Sequence, residues 1–128
     1  MLLNLVFGNS DNHGRNISFL KFENDIKFAP IYGFAPVKAD PEMVTRLFKW
    51  ERGCERAGVV KFDNVVTELE DFGEPEALLT FLNELAGSLV QAPYLLEQLG
   101  CPRETLEFPS IGFNHIEEKL TSFGVYNA

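Results

Sequence analysis

Cysteine is scarce in this chain: only Cys54 and Cys101 occur, neither in a CxxC pair nor at ligand spacing from a histidine. That excludes a disulfide framework or a zinc ribbon and predicts two free thiols, as suits a reducing compartment. Histidine is equally rare, with His13 and His115 alone. Basic residues are outnumbered 11 to 19, giving a formal net charge of −8. A phosphate backbone is repelled by that average, so direct nucleic-acid binding is disfavoured. No apolar run approaches the ~18 residues of a membrane-spanning helix, and the N-terminus lacks the basic region and cleavage site of a signal peptide. The reading is a cytoplasmic protein with no membrane association.

What is abundant is apolar and aromatic: twelve Phe among 128 residues. A chain of this size can bury roughly two-thirds of its unfolded surface, so one packed domain over 1–128 is expected, with no linker, repeat or low-complexity stretch. The opening MLLNLVF is apolar with no cap ahead of it and Gly8-Asn9 behind it. That is the pattern of the last turns of a helix begun elsewhere. The alternation at Ile17–Phe22, the turn residues Glu23-Asn24-Asp25 and then Ile26–Phe28 predict a short β-hairpin. Pro30 and Pro36 bracket a segment that cannot be regular helix.

From Asp40 onward the period changes to helical. Asp40-Pro41 predicts a short helix through Arg46, and RGCERAG a loop. Asp63 is the expected N-cap of a helix with Val65, Val66, Leu69 and Phe72 on one face, stopped by Gly73. Pro75 opens a long helix carrying Leu78, Leu79, Leu82, Leu85, Ala86 and Leu89. Pro93–Leu99 makes another, ended by Gly100, and Asn114 is the expected cap of a last one with Ile116, Leu120 and Phe123 inward. The expected fold is mainly α: a helical bundle with one short β-hairpin directly after a polar loop.

That loop, GNSDNHGRNISF from Gly8 to Phe19, crowds Asn9, Asp11, His13, Arg15 and Asn16 between two apolar runs. Asx and Gly residues of this kind make ordinary turns. The spacing also matches phosphoryl transfer of the protein-kinase type. There an Asp accepts the substrate hydroxyl's proton, and an Asn five residues on ligates Mg²⁺ from irregular backbone. His13 then supports the loop from beneath, and Arg15 brings positive charge to a phosphate.

GNSDNHGRN resembles the catalytic loop of the HipA-family serine/threonine toxin kinases, whose pattern runs I-G-N-x-D-x-H-x-K-N. The likeness continues through FAPIY, FAPVKADPE and the closing EFPSIGF, and so covers essentially the whole chain. The resemblance implies a kinase-like C-lobe, ATP and Mg²⁺ as cofactors, and a helix-turn-helix antitoxin as partner. It implies Asp11 as catalytic base and Asn16 as metal ligand, with Arg15 where the family usually has Lys. Two departures accompany it. The family's P-x-Y-D supplies a second metal-ligating Asp, whereas this chain reads Pro30-Ile31-Tyr32-Gly33, and Gly33 has no carboxylate. A hard cation loses affinity with each oxygen ligand removed. There is also no Gly-rich phosphate loop and no strand Lys paired to a helix Glu.

The leading expectation is therefore a truncated or degenerate kinase C-lobe, a pseudokinase inactive alone: a fragment, a degenerate remnant, or a subunit completed by a separate N-lobe polypeptide. The alternative is a non-catalytic module that binds an antitoxin or another partner. A metal-dependent nuclease of the His-Asn-His kind is the third reading, because DNHGRN precedes a hairpin. An uncovered apolar surface near Leu2, Leu3 and Phe7 is expected to drive self-association or partner binding.

Overall fold

A computed structural model of the chain describes residues 1–42 and 44–127. Helix dominates among them, in six α-helices joined by two small antiparallel hairpins. The first helix, α1 (Leu2–Val6), ends as its sequence predicts. Gly8 takes φ +71°, a region glycine enters without steric cost. The Asn9 N–H then returns to the Asn4 carbonyl at 2.8 Å, the closing bond of a Schellman cap.

The predicted hairpin forms as β1 (Phe19–Lys21) and β2 (Ile26–Phe28), with Phe19 opposite Phe28 and Lys21 opposite Ile26. Beyond it the Pro30–Pro36 segment is irregular, as expected, and passes into a 3₁₀ turn at Val37–Ala39.

Four expectations fail from here on. The helix from Asp40 to Arg46 is not formed among the described residues, and Met43 lies outside them. Asp40 does accept the Glu42 N–H at 2.8 Å, the bond a helix cap would make. Tertiary bonds claim the next residues instead. The buried Ser10 hydroxyl donates to the Val44 carbonyl, and Arg46 donates to the Phe48 carbonyl and to Glu55. Next, RGCERAG is not plain loop. It enters a second hairpin, β3 (Glu55–Arg56) and β4 (Val59–Val60). Ala57 and Gly58 join the strands with φ +51° and +79°, the two positive values that a type I′ turn requires.

The third failure is Asp63 as a cap. Helix α2 (Phe62–Glu68) has its N-cap two residues earlier, at Lys61, without a side-chain cap bond. The buried Phe62 sets its start by donating its N–H to the Phe123 carbonyl at 3.0 Å. The helix also ends before Gly73, which leaves Phe72 86% exposed rather than on the face of Val65. Last, Asn114 does not cap the final helix. It sits inside a 3₁₀ turn, Phe113–His115, from which α6 (Ile116–Ser122) continues.

The other helices follow their signals. In α3 (Pro75–Leu89) proline stands in the first turn, and α4 (Ala92–Gln98) stops at Gly100. A short α5 (Arg103–Leu106) was not foreseen. The core gathers Leu2 and Val6 of α1, Val60, Phe62 and Val65, Leu89, Ile111, and Ile116, Leu120 and Phe123, inward as predicted. Cys54 is buried there, and both thiols are free.

Lys119 fastens α6 to α1. Its ammonium donates to the Val6 carbonyl at 3.2 Å and the Ile111 carbonyl at 2.7 Å. Positive charge at the C-terminal end of a helix is favourable. Burial, with Lys38's charge adding to it, pushes its pKa down to about 8.

Uncovered apolar surface is present, but not where the sequence places it. Leu2 is buried, and Leu3 and Phe7 pack against the core. The Phe7 ring meets Phe34 and Phe113 edge-on, each at 5.6 Å. The first hairpin and the loop after it instead carry a run of bare apolar side chains, with Phe28 71% and Ile31 72% exposed. Among the described residues no helix is long and apolar enough to cross a membrane.

Candidate functional site

The polar loop is fixed at both ends. At its start the Gly8 carbonyl accepts the N–H groups of Ser10 and Lys38, at 3.0 and 2.9 Å. The Asn9 amide donates to the Asn4 side chain at 2.9 Å. At its end a 3₁₀ turn over Gly14–Asn16 is capped by His13, whose Nδ1 accepts the Arg15 N–H at 3.2 Å.

That bond assigns the imidazole proton to Nε2, the nitrogen that lies 3.5 Å from Asp11 Oδ1. His13 thus supports the backbone of the turn and faces the Asp11 carboxylate. Asn16 folds back so that its amide nitrogen donates to the Asp11 main-chain carbonyl. Asp11 and Asn16, five residues apart, are therefore tied to each other, with Asp11 exposed.

Asp11, His13 and Asn16 line one open cavity of about 660 Å³, and Gly33 stands on its wall with Ile31, Tyr32 and Phe34. A 2.7 Å bond between the Ser18 and Tyr32 hydroxyls pins the Pro30–Phe34 loop to the hairpin base. Gly33 is at φ +60°, and a Cβ there would meet nothing within 4 Å. Asp and Asn are among the residues that tolerate this left-handed conformation, so a carboxylate fits the position without a clash.

Four of the five sequence-predicted positions thus converge. Arg15 does not: its side chain is exposed outside the cavity, and only its backbone takes part. Asn4, Ser18 and Tyr32 belong to the site as well. No sequence pattern marks Asn4, which looks like an ordinary helical residue until the Gly8 cap turns Asn9 back onto it.

The donor set does not fit Mg²⁺ with ATP as it stands. Asp11 is the one carboxylate on the cavity wall, and among the described residues no three His, Cys, Asp or Glu side chains group to hold a metal. A hard divalent cation needs several oxygen ligands and charge neutralisation. A nuclease centre fares no better: the first hairpin is followed by irregular chain rather than helix, and His115 pairs with Glu118 at 3.1 Å, away from the cavity. Comparison of the chain with protein-family models, with curated proteins and with solved structures finds no match.

Proposed function

We propose that this chain carries half of a HipA-like phosphotransfer site: the loop of a serine/threonine kinase C-lobe, one metal ligand short and inactive alone. One observation carries the reading. Asp11, Asn16 and Gly33, the three positions at which the resemblance expects a base and two metal ligands, line the same cavity wall. In this reading Asp11 is the proton acceptor, Asn16 offers its amide oxygen to a metal, and His13 orients the Asp11 carboxylate. Catalysis of this type is positioning plus charge stabilisation, so a site with one carboxylate leaves the transferring phosphoryl group without its clamp. A phosphate-covering lobe carried elsewhere would dock against the bare hairpin and the Pro30–Phe34 loop. The two free thiols suit the cytoplasm, where such a partner and its ATP are found.

The bare hairpin favours a second reading in its own right, a non-catalytic module that binds a helix-turn-helix antitoxin or another protein through that surface. Mn²⁺, a paramagnetic substitute for Mg²⁺, separates the two. In the kinase-like reading it broadens the amide resonances of Asp11 and Asn16 weakly, severalfold more strongly in Gly33→Asp, and not in Asn16→Ala. Broadening elsewhere, or indifference to both substitutions, would leave the loop a turn and the chain a binding module.

A further inference from the structure

A second cavity, of about 460 Å³, shares Asn4 and Asn9 with the first as a common wall. We propose that it binds a small phosphate-bearing molecule. None of Asp11, Asn16 or Gly33 lines it, so the inference stands apart from the phosphotransfer reading.

Its charge runs against that of the chain. The protein carries a formal −8, yet Lys38, Arg46 and Lys49 line this cavity against one carboxylate, Glu55. Arg46 and Glu55 cancel each other in a pair whose side chains are 16% and 4% exposed. Burial alone would raise the Glu55 carboxyl's pKa. The hydrogen bonds from Arg46 and the Trp50 N–H, with the nearby charges of Arg46 and Lys49, more than offset it and hold the group below the usual carboxylate range. Glu55 is therefore spoken for, and what a ligand meets is Lys38 and Lys49. Neither makes an ion pair among the described residues.

Two uncompensated ammonium groups match the double negative charge of a phosphate monoester, and charge-assisted bonds are the strong ones. The Thr45 and Ser110 hydroxyls and the Asn9 amide lie in the same wall. The space lies within the 300–1,000 Å³ common for ligand pockets and exceeds what a lone phosphate fills, and Leu5 and Val44 give an organic portion apolar surface to rest on. Lys38 is held in place by its own N–H, which donates to the Gly8 carbonyl at 2.9 Å.

Titration calorimetry and amide NMR on the whole chain test this with glycerol 3-phosphate, inorganic phosphate and glycerol. The expected result is saturable binding of glycerol 3-phosphate, weaker binding of inorganic phosphate, and none of glycerol. Amide shifts should centre on Lys38, Thr45, Lys49 and Gly58. Lys38→Met and Lys49→Met keep the apolar stems, and each should weaken binding about tenfold. Lys49→Met touches an exposed residue and keeps the test valid if the Lys38 variant does not fold. No saturable binding of either phosphate compound, shifts centred elsewhere, or affinity unchanged in Lys49→Met would overturn the proposal. Inorganic phosphate binding as tightly as glycerol 3-phosphate would overturn the claim of a larger ligand.

Discussion

At the scale of single residues, backbone conformation and buried charge make the sharpest claims. Ala57 stands at φ +51° in the turn between β3 and β4, where an L side chain crowds its own carbonyl. Asn-Gly is the preferred pair for this turn, so Ala57→Asn should raise the unfolding free energy by about 0.5–1 kcal/mol. A urea midpoint that does not move, or falls, would show the turn to be of another kind. Lys119 predicts a pH dependence of definite sign. Its amine titrates at about 8 in the fold and at ~10.4 in an unfolded chain. Between those values the unfolded chain holds a proton that the folded chain has released, so stability rises with pH there and is flat in this respect below it. The side chain is only half-buried, and solvent screening trims the gain to roughly 1 kcal/mol. Urea melts at a pH below and a pH within that window should show the rise in the parent chain and lose it in Lys119→Met. An equal rise in both would assign it to other groups.

Elements were legible where a local signal decides them and not where a distant contact does. Proline at the start of α3, glycine after α1 and α4, and the alternation of β1 and β2 all act within a few residues, and the structure follows them. The start of α2 was hidden because Phe62 is fixed by Phe123, far along the chain. The stretch after Asp40 was hidden because Ser10, Arg46 and Glu55 take over its hydrogen bonding. The candidate site divides in the same way. Asp11, His13 and Asn16 announced themselves by spacing, whereas Lys38 and the neighbours Arg46 and Lys49 come from two separate stretches, and Glu55 and Ser110 join them only in the fold.

The hairpin itself carries an element-scale expectation. An isolated two-stranded ribbon is marginal in water, and β1 and β2 are exposed along both strands, with the Phe19–Phe28 rings at 4.8 Å added to their backbone pairing. Their amides should exchange with deuterium far faster than those of α6, which lies in the core. Equal protection would mean that the ribbon is already covered in solution, by a second copy of the chain.

For the whole molecule, the folded core and the candidate site sit side by side but are finished to different degrees. The core closes around α1, α2 and α6, with no buried side-chain polar atom left unpaired among the described residues. The site is open, walled by bare aromatic and aliphatic side chains, and holds the Asp11 carboxylate and the Asn16 amide with no second carboxylate. A phosphoryl donor placed there has neither a metal clamp nor a covering loop, and removing several such parts compounds to many orders of magnitude in rate. The direct test is phosphate transfer from radiolabelled ATP by the purified 128-residue chain, with Asp11→Ala and Gly33→Asp beside it. The half-site account predicts no transfer above background from any of the three. Transfer by the parent chain that disappears in Asp11→Ala would contradict it.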